Sequence, residues 1–150
     1  MSRRKAREIV LCLVFEKEYQ RDLDCEKLYC DLIENGVLAE IYNSFTEKEE
    51  EKEKIKSLNK SDEDYIKKTF FGIFNNIENI DDKISSSTIG WEYNRISKIS
   101  MALLRIAVYE ILYADDIPTS VAINEAVELS KRYDDPDAYI VFFPKEPCKQ

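Results

Sequence analysis

Histidine is absent from all 150 residues. That excludes His-dependent acid–base catalysis and the usual pairing of a nucleophile with an imidazole. Glycine occurs three times, at the isolated positions Gly36, Gly72 and Gly90. So scattered a set builds neither a phosphate-cradling loop nor a dinucleotide fingerprint. The four cysteines, Cys12, Cys25, Cys30 and Cys148, form no Cys-x-x-Cys pair. With no His beside them they offer no zinc ligand set, and they point to a reducing compartment. The longest apolar runs, such as Ile9 to Phe15 and Met101 to Leu104, are far too short to cross a bilayer. The basic start leads into an amphipathic stretch that meets Glu16 and Glu18, unlike a signal peptide. The expectation is a cytoplasmic protein with no membrane span, metal or cofactor, and no enzymatic activity.

What the chain does have is a contrast of charge. Arg3, Arg4, Lys5 and Arg7 place four positive charges and no negative one in the first seven residues, although the net charge is -8. The remainder carries 18 basic and 30 acidic residues, a net of -12. Such a cluster at the head of a helix is where a phosphate backbone docks, and N-terminal basic residues that are merely solvated are the alternative.

At this length one domain is expected, rich enough in apolar residues (44%) to bury a core. Ala6, Val10, Leu13 and Val14, widened by Ile9, repeat at helical period across residues 3–19. Arg3, Arg4 and Arg7 share the i, i+3, i+4 spacing and project from one side of its first two turns. A second helix is expected from about Glu26 to Ile33, broken near Asn35-Gly36 and resuming from Val37 to Phe45. Residues 47–54 are charged throughout and read as a solvated helix or loop. Asp62 reads as an N-cap before Tyr65, Ile66, Thr69, Phe70, Ile73 and Ile77. A short helix follows over Asn79 to Ser87, then a Ser-rich loop before Gly90-Trp91. Ser97 precedes a strong hydrophobic helix from Lys98 to Tyr113, and Pro118 begins the next. That last helix turns Val121, Ala122, Ala126 and Leu129 inward, with Asn124, Glu128 and Lys131 outward. No alternation of strand period competes, so the fold class is all-α, built of packed helical bundles.

Arg105 interrupts the apolar run Met101 to Tyr109 and needs a partner if it is buried. Glu125 on the following helix is the expected one, with Glu110 as a local alternative. The pair is read as structural, positioning helices.

Three segments together resemble the NusB family of bacterial transcription antitermination factors. Arg3-Arg-Lys-Ala-Arg-Glu8 looks like the family's arginine-rich start. Residues 97–111, Ser-Lys-Ile-Ser-Met-Ala-Leu-Leu-Arg-Ile-Ala-Val-Tyr-Glu-Ile, look like its central helix. Residues 117–131, Ile-Pro-Thr-Ser-Val-Ala-Ile-Asn-Glu-Ala-Val-Glu-Leu-Ser-Lys, match its most recognisable motif. The resemblance runs from Ser2 to about Asp137 and is loose over residues 20–60. It implies two packed helical subdomains, about 1–80 and 81–137, with 138–150 as a divergent tail. It also implies a non-enzymatic role: binding boxA-type single-stranded RNA together with NusE, a small-subunit ribosomal protein, and helping to load an antitermination complex onto RNA polymerase. Carried over to this chain, Arg3, Arg4, Lys5 and Arg7 match the RNA-contacting start. Tyr133 falls where the family has an aromatic, and Asp137 where it has an acidic residue near bound RNA. Cations hold phosphates and an exposed aromatic stacks an unpaired base. Tyr133 as a helix-end cap and Asp137 as an N-cap after Pro136 stand as the structural alternatives.

Two departures from the family pattern matter. After Asp137 the family continues into a final helix, whereas here Pro144 and Pro147 oppose one. If Ile140, Val141, Phe142 and Phe143 do not bury, they form an apolar patch that favours self-association, and a homodimer is among the expected states. Ser100 stands where family members present a glutamate towards the protein partner. The competing function is a helical protein-interaction module with weak or lost RNA binding. RNA methyltransferases that carry a NusB-like N-terminal domain are disfavoured, because no room is expected for a catalytic domain.

Overall fold

The computed structural model describes residues 3–34, 59–87, 96–136 and 138, and every regular element among them is helical. The chain divides into two compact units, Met1–Phe74 and Asn75–Gln150. The expected helix over Val37 to Phe45, the charged run 47–54, Gly90-Trp91 and the tail beyond Ala138 lie outside the described residues.

The first unit holds α1 (Arg3–Tyr19), α2 (Cys25–Tyr29) running into a π-helical turn (Cys30–Glu34), and α3 (Lys60–Asn75). Over its middle turns α1 is enclosed on all sides, with every residue from Ala6 to Val14 buried. That is broader than the one-sided stripe its periodicity predicts, and it follows from the near-continuous apolar run Ile9 to Val14. Asp24 caps α2, its carboxylate accepting from Lys27 N at 2.7 Å. At α3 the cap is Asn59, not Asp62. Asn59 Oδ1 accepts from Asp62 N at 2.8 Å, and Asp62 itself is buried in the first turn. Tyr29 packs its ring on Phe70 and Phe71, with centroids 6.5 and 5.5 Å away. Leu28, Ile66, Phe70 and Ile73 are closed to solvent, each contributing on the order of 1.5–3 kcal/mol. Cys12 lies in this core, and burial, then the charges of Glu8 and Glu16, push its thiol far up. It stays protonated and behaves as a small hydrophobe.

The second unit holds α4 (Ile77–Ser87), α5 (Lys98–Tyr113) and α6 (Thr119–Tyr133), with α5 packed against both neighbours. Ser97 caps α5 as its position predicts, accepting from Ser100 N at 3.0 Å. Pro118 sits one residue before α6 rather than inside it, and its carbonyl accepts from Ala122 N at 3.1 Å. Ala122, Ala126 and Leu129 face inward as expected, whereas Val121 is 40% exposed. The buried stripe of α6 passes through Ala122, Ala126, Leu129 and Ser130, which leaves Val121 at its edge.

Candidate nucleic-acid interface

The head of α1 is where the basic cluster emerges. Arg3 and Arg4 are exposed and Lys5 is half-buried, with its Nζ 4.0 Å from Glu8 Oε2. The first turn holds no acidic residue. Three cations therefore oppose the positive end of the helix dipole, each at a cost of about 0.3–1 kcal/mol. A cationic cluster kept at an end of the helix where its dipole disfavours it is a pattern expected of a binding site.

Arg7 differs from the other three. It is only 4% exposed, so the reading that placed it on one solvent-facing side with Arg3 and Arg4 is corrected. The cause is the enclosure of α1, since position 7 already belongs to the buried turn. Arg3 and Arg7, four residues apart, both approach Tyr65 of α3. Arg3 Cζ lies 4.2 Å from the ring centroid and Arg7 Cζ 5.8 Å. The structure thus brings two of the four predicted cations to one aromatic ring, which the sequence presented only as a member of an apolar face.

The second predicted group lies in the other unit, at the end of α6. Tyr133 is half-buried, its hydroxyl oxygen is turned away from solvent, and the Arg132 guanidinium lies 5.3 Å from its ring centroid. Asp137 lies outside the described residues. Next to Tyr133, Asp134 ties the end of α6 to the start of α5. Its Oδ2 accepts from Ser100 Oγ at 2.6 Å and from Ser97 Oγ, and its Oδ1 accepts from Asp135 N at 2.8 Å. Burial pulls the Asp134 carboxyl upward, but the Ser100, Ser97 and backbone hydrogen bonds outweigh it and hold it below its ordinary value of 3.8. Ser100 is 1% exposed, with its hydroxyl donating to Asp134. Sequence reasoning missed Asp134, although a carboxylate within a few residues of the predicted helix end was the available signal.

Arg105 finds a carboxylate that the sequence did not single out. Its Nε and Nη2 donate to Asp81 Oδ1 and Oδ2 at 3.0 and 3.1 Å, a two-pronged pair that joins α5 to α4. Glu125 is half-buried on α6 and Glu110 is buried on α5.

The family model for NusB matches residues 4–141. The chain belongs to the NusB family. The matched span contains Arg4, Lys5, Arg7, Tyr133 and Asp137 and begins one residue after Arg3. The transcription antitermination protein NusB of Acetivibrio thermocellus is 39% identical over 133 residues, covering 89% of this chain and 77% of that protein. Its counterpart in Clostridium perfringens strain 13 is 39% identical over 137 residues, covering 90% and 86%. A solved structure of T. maritima NusB is similar with a TM-score of 0.71 and 31% identity, covering 95% of this chain and 86% of that one. The all-α architecture is therefore that of NusB. Among the described residues no helix is long and apolar enough to cross a membrane.

Proposed function

We propose that this protein is an RNA-binding transcription antitermination factor of the cytoplasm, without enzymatic activity. On this reading it binds boxA-type single-stranded RNA together with NusE and helps to assemble an antitermination complex on RNA polymerase. The observation that carries the reading is the exposed Arg3–Arg4 pair at the head of α1, in a chain whose body is acidic. Membership of the NusB family supports the choice of boxA-type RNA and NusE. Lys5 adds a third charge, and Tyr133 and Asp137 are the accessory contacts the family pattern assigns.

The burial of Arg7 sharpens the test. Four phosphate contacts to a single strand give a log–log salt slope near -3, and three give about -2. Fluorescence anisotropy of a labelled boxA-type RNA against a scrambled control, with and without NusE, measures both slope and selectivity. Selective binding that tightens with NusE, at a slope of about -2, is the expected result. Equal weak binding to both RNAs, unchanged by NusE, would leave a generic polyanion patch. Intact NusE binding with no RNA binding would instead establish the alternative, a helical interaction module, which the reduced number of exposed cations favours.

A further inference from the structure

Tyr65 of α3 plays no part in the assignment of RNA binding to α1, yet Arg3 lies directly on it. At 4.2 Å from the ring centroid, the guanidinium is well inside the range in which a cation is held by an aromatic face. Arg3 is exposed and pairs with no carboxylate among the described residues. The nature of its partner decides what Arg3 can do. A carboxylate would neutralise the charge and occupy the donor edge. A ring occupies one face only, which leaves the rim of N–H donors and the outer face open. Around Tyr65 on α3, Glu63, Asp64, Lys67 and Lys68 are exposed, so the surface beside the ring is of mixed charge.

Resting on the RNA-binding reading of α1, we propose that Arg3 and Tyr65 form a two-layer platform for one unpaired RNA base. The base stacks on the outer face of the guanidinium, as single-stranded bases do on arginine planes. Arg4 and Lys5 hold the adjoining phosphates. Tyr65 is a positioning residue: it acts through Arg3, restricting the guanidinium to one place before RNA arrives.

The test separates planarity from charge. Arg3→Lys keeps the charge and removes the plane. Binding of single-stranded RNA falls about five-fold in that variant, the low end of a lost base stack, with the salt slope unchanged. Tyr65→Leu loses as much as Arg3→Lys, and combining the two adds nothing further. Scanning a single abasic position along the RNA finds one site that costs the wild type about five-fold and costs Arg3→Lys nothing. Melting curves accompany every variant. Should Tyr65→Leu fail to fold, Arg3→Lys and the abasic scan decide alone. Wild-type affinity in Arg3→Lys, or full additivity with Tyr65→Leu, overturns the platform while RNA binding stands. A wild type that binds no single-stranded RNA overturns the RNA-binding reading itself.

Discussion

Arg4 and Arg7 stand three residues apart on one helix in opposite environments, the first exposed and the second 4% exposed. Their substitutions should separate binding from folding. Arg4→Gln removes a cation that opposes the helix dipole, so stability changes by less than about 0.5 kcal/mol while RNA binding weakens. Arg7→Ala removes a buried guanidinium and leaves its surroundings unsatisfied, a loss of about 1.5–3 kcal/mol. For a chain of this size each kcal/mol moves the melting temperature by roughly 2–4 °C. Thermal melts of the two variants check this, and equal melting temperatures would show that Arg7 is as dispensable to the fold as Arg4. A triple replacement of Arg3, Arg4 and Arg7 would mix these effects, and its loss of RNA binding could not be told from partial unfolding.

Helices α5 and α6 meet at a fastening made of Ser97, Ser100 and Asp134, and its strength should depend on pH. The carboxyl of Asp134 is held below its ordinary value of 3.8, so the folded state favours the ionised form. The stabilisation is fully present above 3.8 and is lost as pH falls through the lower folded value. Two charge-assisted hydrogen bonds from hydroxyls make Asp134→Asn cost about 1–3 kcal/mol at neutral pH. Melting curves of wild type and Asp134→Asn should differ at pH 6 and converge below pH 3.8. A gap that stays constant down to pH 2.5 would mean that the charge contributes nothing. The helices themselves were legible in the sequence because period and caps are local. Ser97 announced α5, and Ala122, Ala126 and Leu129 announced the inner face of α6. The fastening was not legible, because it joins positions more than thirty residues apart. The Arg105 pair shows the same limit. An apolar run around an arginine demands an anion, but thirty acidic residues offer many, and only packing brings Asp81 to it. Burial of Arg7 was hidden for a related reason, since a helix that is apolar on one side looks alike in sequence whether neighbours cover that side or surround it.

Taken whole, the molecule sets a small cationic site against a body of net charge -12, and ionic strength decides how far RNA feels each. At 0.15 M salt the screening length is about 8 Å. A phosphate at the head of α1 therefore feels the charges within about that distance and little beyond it. Near 0.01 M the screening length reaches about 30 Å, and repulsion from the body adds to attraction by Arg3, Arg4 and Lys5. The log–log plot of affinity against salt should therefore be straight, with a slope near -2, from about 0.1 to 0.3 M. Towards 0.01 M it should flatten. Replacing Glu49, Glu50 and Glu51 by Gln raises the net charge from -8 to -5. That change should reduce the flattening and leave the slope above 0.1 M unaltered. A steeper slope at high salt in this variant would mean that the acidic run touches the RNA path directly. An unchanged curve at low salt would mean that the body charge is too distant to oppose binding at any ionic strength.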